Sequence, residues 1–507
     1  MNDRPLYKSV QHWFWVVPLL LLAATLGAAR LNIDLFWSDE EYTVYMSAGS
    51  HHGPADLLEI LIRIADNVWP PLHNLILIPW AAVFGWSAFS LRVLALFFGL
   101  LAIAMLYRLG RDMFSPRVGL VAVILLATST FFIHYLHEGR GYTLYVLLTL
   151  TTLWCYWRLI THPAPSRRLQ VLFVLSGTLL LYVHYVASVV MAAVGLYHIT
   201  LVKAGERRTH IFRLMLVIGF LFGPWLTIGL LVAAAEREVS RGWDALTVLV
   251  KSLDGFGNGL IPLVILVLAY ALLRLRGRNI KAVGFLLVAI FVLALLFNLA
   301  TDYLFNIRHI LPLLPLLLLV SAAVIVDVSQ RYHIGVAGVI VAVWVVAGAW
   351  NYIDLNGFDA RMEQIDAVER APMQAALSLA RTCAADDAGL LFHLVKPAHE
   401  VNTWQVFDYY LHDDPWMYTQ AGAFTRNQTL RTISPEPGSV QAADVDTVWV
   451  FSDDAITDTE PLDGAQAYLA GEYTTCQTFT DDSGLRGWRY TRVVAPACLP
   501  DPVPCGS

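Results

Sequence analysis

Two adjacent carboxylates, Asp39 and Glu40, stand in the segment Phe36-Trp37-Ser38-Asp39-Glu40-Glu41-Tyr42. A partly desolvated Asp can accept a proton from an attacking hydroxyl, so the pair suits a general base or a cation site. The segment also reads as a helix start, because Ser38 and Glu41 have the spacing of a capping box and acids favour a helix N-terminus. That structural reading accounts for Glu41 and leaves Asp39 and Glu40 uncommitted.

A second polar cluster runs His134-Tyr135-Leu136-His137-Glu138-Gly139-Arg140-Gly141-Tyr142. Its His-x-x-His-Glu spacing puts potential metal ligands on one helix face. Histidines also serve as anchors at membrane interfaces, so Glu138 and Arg140 are stronger site candidates than His134. Further along, Arg308 and His309 open the run Arg-His-Ile-Leu-Pro-Leu-Leu-Pro-Leu-Leu-Leu-Leu-Val. An arginine there can bind a phosphate bidentately, or it can be a structural residue that snorkels to the surface. His184, in Tyr182-Val183-His184-Tyr185, is open to both kinds of reading. The chain has no Walker loop, no dinucleotide-binding glycine fingerprint and no His-Glu-x-x-His motif, which argues against a nucleotide-driven pump or a zinc protease. The energy for bond formation then has to arrive with the substrate.

The elements that carry these residues are apolar. The 507 residues are 57% hydrophobic and 15% charged, with mean hydropathy +0.57, which places the chain in a bilayer. Runs long enough to cross roughly 30 Å of hydrocarbon fall near 13–29, 92–108, 118–134, 142–160, 170–183, 185–203, 212–233, 258–273, 282–300, 308–326 and 334–350. That makes about eleven spans. The stretch 71–85 is apolar but short, and Pro70, Pro71 and Pro79 interrupt it, so it reads as re-entrant or interfacial.

Charge sets the topology. With the N-terminus inside, the cytoplasmic side receives Arg108, Arg111, Arg117, Arg158, Arg167, Arg168, Lys203, Arg207, Arg208, Arg213, Arg274, Arg276, Arg278, Lys281 and Arg331. The tail 351–507 holds 9 Lys+Arg against 23 Asp+Glu and falls on the other side. So do Cys383, Cys476, Cys498 and Cys505, an even set that suits an oxidising compartment, although their pairing cannot be read from sequence. Short strand-like stretches at 389–395, 447–451 and 486–494 alternate with helical ones such as 362–383, which predicts a small α/β domain. The division expected is therefore 1–350, a transmembrane module with a large first outer loop and juxtamembrane helices, and 351–507, an extracytoplasmic α/β domain.

The motifs taken in order resemble those of the C-superfamily (GT-C) membrane glycosyltransferases, specifically the branch of the dolichyl-phosphate-mannose protein mannosyltransferases and the bacterial lipid A aminoarabinose transferase. The resemblance rests on Trp37 to Glu40, on Pro70-Pro71-Leu72-His73, and on Phe84-Gly85 with Arg92. It continues through His137 to Tyr142, which looks like Gln-Glu-Ala-Arg-x-Tyr, then His184-Tyr185, then Arg308 to Pro312, which looks like Arg-Tyr-Leu-x-Pro. It implies inverting transfer of a sugar from a polyprenyl-phosphate donor to a hydroxyl of a lipid, glycan or protein acceptor, at the outer face of a bacterial inner membrane and with no nucleic acid involved. By position it makes Asp39 the general base, Glu40 its neighbour, and Glu138 a second acid. Arg140 and Arg308 would neutralise the leaving phosphate, with His73, Tyr142 and His184 lining the site. His137, Gly139 and His309 depart from the pattern and leave the donor sugar, and the use of a divalent metal ion, open. Two rival readings are a transporter or flippase of lipid-linked sugars, which calls for ionisable groups deep within spans, and a non-catalytic assembly subunit.

Overall fold

The computed structural model describes residues 14–31, 38–47, 56–66, 69–235, 243–301, 304 and 306–362, and within the tail 389–393, 417–419, 423–425, 447–453, 463, 466–467, 469–471, 473–480 and 485–491. The chain forms two units, Met1–Ile33 with Ala55–Gln364 and Asp34–Pro54 with Ile365–Ser507.

The first unit is helical. Its described helices are α1 (Val16–Ala28), α3 (Leu57–Asp66), α4 (Leu72–Phe84), α5 (Ala88–Met113), α6 (Pro116–Ala127), α7 (Thr130–Leu136), α8 (Tyr142–Thr161), α9 (Arg167–Leu181), α10 (Ala187–Leu201), α11 (Glu206–Ala235), α12 (Ala245–Phe256), α13 (Ile261–Arg274), α14 (Arg278–Thr301), α15 (Leu313–Arg331), α16 (Ile334–Ile353) and α17 (Leu355–Met362), with a 3-10 turn at Ile307–Ile310. Short polar side chains start several of them. Ser87, Ser115, Ser166 and Asp244 accept first-turn N–H groups, and Pro116 sits where a missing N–H costs nothing.

Six described helices are long and apolar enough to cross a bilayer: α5, α8, Glu206–Gly229 of α11, α14, α15 and α16. The expected run 118–134 is instead a bent pair, α6 and α7 meeting at 70°, and the run 258–273 ends a second pair, α12 and α13, bent by 95°. The runs at 13–29, 170–183 and 185–203 form helices of 13, 15 and 15 residues. The Pro-interrupted stretch is a helix of 13 residues with Pro79 inside it. In the interior, α5 packs on α6 and α8, and α15 packs on α6 and α14. The α5–α6 approach depends on glycine, because a Cβ on Gly110 would lie 2.9 Å from the Cα of Gly119.

The second unit contains α2 (Ser38–Met46) and a six-stranded sheet of β1 (Gly389–His393), β2 (Met417–Thr419), β3 (Ala423–Thr425), β4 (Thr447–Asp453), β5 (Thr474–Thr480) and β6 (Leu485–Thr491). The strand order is β2-β3-β1-β4-β6-β5. Only the β1–β4 pair is parallel among these strands. Three of the strands coincide with the strand-like stretches of the sequence. The helical expectation over 363–383 lies outside the described residues, as do Cys383, Cys498 and Cys505. Cys476, at the bulge of β5, is disulfide-bonded.

Candidate active site

The first unit gathers residues from four separate stretches of the sequence into one buried polar cluster. Pro70-Pro71 starts α4, and the Leu72 N–H donates to the Tyr182 carbonyl at 3.0 Å, tying that helix to the 182–186 loop. His73 on the first turn of α4 is buried, with Nε2 3.3 Å from the Gly139 carbonyl oxygen. The turn at 139–141 passes so close that a Cβ on Gly141 would lie 3.2 Å from both Cβ and Cγ of His73.

That turn carries the charged groups. Glu138 is buried, with Oε2 3.5 Å from His134 Nε2, and its Oε1 has no hydrogen-bond partner among the described residues. The Arg140 N–H donates to the Glu138 carbonyl at 2.7 Å, and its guanidinium lies 4.5 Å from the ring centre of Trp69. Tyr142 follows as the first residue of α8, its ring 5.1 Å from that of Tyr135 and 6.1 Å from that of His184.

The opposite side comes from the 182–186 loop and the 3-10 turn. His184 stacks on Tyr145 at 4.9 Å with nearly parallel planes, and sits 5.6 Å from His309. Its Nδ1 accepts the Val186 N–H at 3.2 Å, so the neutral ring carries its proton on Nε2. The Arg308 guanidinium lies 5.9 Å from the Tyr142 ring centre, and its backbone N–H is capped by Asn306 Oδ1 at 3.0 Å.

The cluster is buried and holds two arginines. Arg140 and Arg308 are 5% and 6% exposed. Burial, then Arg140 and Arg308, hold His184 down to about 3. Burial followed by Arg308, His184 and Arg140 holds His309 well below the usual imidazole value. His73 is lowered to about 4, by burial first and then by Arg140. His73, His184 and His309 are therefore neutral at pH 7. Among the described residues of the cluster two arginines, Arg140 and Arg308, accompany one carboxylate, Glu138, in a setting where low dielectric strengthens attraction to an anion.

The cluster unites six of the expected site residues, His73, Glu138, Arg140, Tyr142, His184 and Arg308. Asp39 and Glu40 lie on α2, in the second unit, where Glu40 is buried and Asp39 half-buried. The Asp39 carbonyl accepts the Thr43 hydroxyl at 2.8 Å as part of the helix. The capping-box side chains Ser38 and Glu41 lie outside the described residues. His134 and His137 pack edge to face at 5.6 Å, and no group of three or more His, Cys, Asp or Glu side chains among the described residues is arranged to hold a metal. Trp69 and Tyr145 escaped the sequence reading. Tyr145 lies one helical turn after Tyr142, a spacing that could have drawn attention to it.

The family described as dolichyl-phosphate-mannose-protein mannosyltransferase matches residues 68–228, a stretch that contains His73, Glu138, Arg140, Tyr142 and His184. No curated protein sequence matches. The structure of ArnT from Cupriavidus metallidurans bound to undecaprenyl phosphate aligns with a TM-score of 0.56 at 14% identity, over 95% of this chain and 98% of that one. Its apo state aligns with a TM-score of 0.53 at 15% identity, over 94% and 98%. The chain shares the fold of these two structures. Of the two broken helices, α6–α7 and α12–α13, the first delivers the turn that bears Glu138 and Arg140.

Proposed function

We propose that this protein is a membrane glycosyltransferase that moves a sugar from a polyprenyl phosphate to an acceptor hydroxyl. The observation that carries this reading is the buried cluster in which two arginines, Arg140 and Arg308, lie among neutral histidines, His184 and His309. The similarity to ArnT, whose structure holds undecaprenyl phosphate, supports the choice of anion.

In the proposed reaction the acceptor oxygen attacks the anomeric carbon, and the bond from that carbon to the phosphate oxygen breaks with inversion. The acceptor proton passes to a carboxylate, and the electron pair leaves on the polyprenyl phosphate. Arg140 and Arg308 stabilise the charge that grows on the leaving phosphate. His184 offers Nε2–H to an oxygen of the same group, and His73 and Tyr142 shape the wall. Asp39 is assigned the role of base, with Glu40 beside it, on their sequence segment alone, and Glu138 is assigned as a second acid of the cavity. Donors of the mannosyl or pentosyl type, and lipid, glycan or protein acceptors, belong to the same proposal. The basic loops, the acidic tail and the disulfide at Cys476 favour an inner-membrane protein with its N-terminus cytoplasmic and its tail outside.

The test is sugar release from radiolabelled polyprenyl-phosphate mannose, arabinose, aminoarabinose and glucose by the protein in proteoliposomes, with membrane extract as acceptor source. A chelator arm decides whether a divalent ion takes part. Release from one donor is expected, and release from none would remove the transferase reading.

A further inference from the structure

Asn258 occupies the break between α12 and α13, far in sequence from every candidate site residue. It is 2% exposed and adopts φ 52°, a left-handed conformation that asparagine tolerates better than most residues. Its carboxamide reaches into the other break. Oδ1 accepts the Thr130 N–H at 3.1 Å, and Nδ2 donates to the Thr128 carbonyl at 3.1 Å. Thr128 and Thr130 flank the 70° bend between α6 and α7.

These contacts do for α7 what its own N-cap does not. Ser129 stands at the N-cap position but its side chain makes no capping bond, and its buried Oγ has no partner among the described residues. The orphan N–H of the first helical residue is satisfied from Asn258 instead. α16 closes the joint from a third side. The Thr130 hydroxyl donates to the Gly348 carbonyl at 2.9 Å, and Asn351 Nδ2 donates to the Asn258 carbonyl at 3.0 Å. Gly348 has to be glycine here, since a Cβ would fall 2.1 Å from the Thr128 carbonyl oxygen.

α7 is seven residues long, about 10 Å at the usual helical rise, and it ends where the charged turn begins. A tilt of about 10° at its origin would displace that turn by roughly 2 Å, more than a phosphate-binding constellation tolerates. We infer that Asn258 is a positioning residue for the proposed active site: its carboxamide locks the two helix breaks together and fixes the direction from which α7 delivers Glu138 and Arg140. This inference rests on the proposed function for its catalytic consequence, but not for the lock itself.

The experiment compares wild type, Asn258→Gly and Asn258→Asp as purified full-length protein in lipid. Glycine keeps the left-handed backbone and removes the side chain. Aspartate keeps the acceptor for Thr130 but sets an oxygen against the Thr128 carbonyl, and it serves if the glycine variant does not fold. Amide hydrogen exchange of peptides spanning 130–141 is expected to rise at least tenfold in Asn258→Gly, with exchange in the middle of α8 unchanged. At saturating donor, kcat per folded molecule is expected to fall at least tenfold in both variants, with KM within threefold. Unchanged exchange over 130–141 would overturn the inference, and so would a raised exchange with wild-type kcat. A loss confined to the yield of folded protein, with normal turnover per folded molecule, would also overturn it by showing a purely structural role. A wild type inactive on every donor would refute the transferase reading alone, and the exchange comparison would still support or overturn the lock.

Discussion

If the proposed transfer takes place, replacing Arg308 with Gln should cost it mainly in turnover. A polyprenyl-phosphate sugar is a phosphodiester with one negative charge, and cleavage at the anomeric carbon leaves a monoester that gains a second. The guanidinium is buried beside Tyr142 and His184, so the new charge meets it in a poorly screened setting. One unit charge at about 4 Å, at an effective dielectric of about 20, interacts by roughly 4 kcal/mol before desolvation. Removing one donor aimed at a developing oxyanion typically costs about 2.7–4 kcal/mol, or about 10²–10³ in kcat. Arg308→Gln is therefore expected to lower kcat by about 10²–10³ and to raise KM less, since the ground-state diester already carries one of the two charges. Arg308→Lys keeps the charge but loses the planar fork, so a loss of roughly tenfold is expected. The assay is initial-rate sugar release in proteoliposomes over a range of donor concentrations, on protein shown to be monodisperse with an unchanged unfolding midpoint. Turnover by Arg308→Gln within threefold of wild type would show that this arginine does not meet the leaving phosphate.

Asp39→Asn should reduce turnover by about 10²–10⁴, the range for a lost general base, while donor binding measured by equilibrium titration stays near wild type; unimpaired release would remove Asp39 from the chemistry. Gly141→Ala should slow turnover a few-fold and Gly141→Val by up to about 10², because a Cβ there would press on His73; equal rates for wild type and the valine variant would show that the 139–141 turn tolerates displacement. Acid should weaken the fold through His73 and His184. Their folded values lie near 4 and 3, below about 6.5 in the unfolded chain, so the unfolded state takes up protons first as pH falls. The stability they confer is complete above about pH 6.5 and declines toward the folded values, at up to roughly 1.4 kcal/mol per pH unit for each residue. The unfolding midpoint in detergent should thus drop between pH 7 and pH 5, and drop less in His184→Gln; parallel slopes for the two proteins would count against buried neutral His184.

How much was legible beforehand depended on whether a feature is local. Apolar runs announce membrane helices because backbone groups in hydrocarbon have to be satisfied within the segment. Alternation over 447–451 announces a strand for a similar reason, since side chains point to alternate faces. Residue types did the same for the site: Glu138, Arg140, His184 and Arg308 were visible as polar residues bordering apolar runs. Their mutual placement was not visible. His73 meets Gly139, and His184 meets His309, across 66 and 125 positions of chain, through helix packing that no local pattern encodes.

The breaks were hidden for a different reason. Residues 118–134 are apolar almost throughout, and hydropathy registers that a stretch prefers lipid or protein interior, not whether it runs straight. At the bend at Thr128-Ser129 the backbone groups of Thr128 and Thr130 are satisfied by Asn258, more than a hundred positions later. Chain composition thus settled the solvent of this protein and the kinds of polar group that border its apolar runs. The packing of two broken helices settled where those groups converge, because a buried hydrogen bond between distant segments forms only once both have found their place in the bundle.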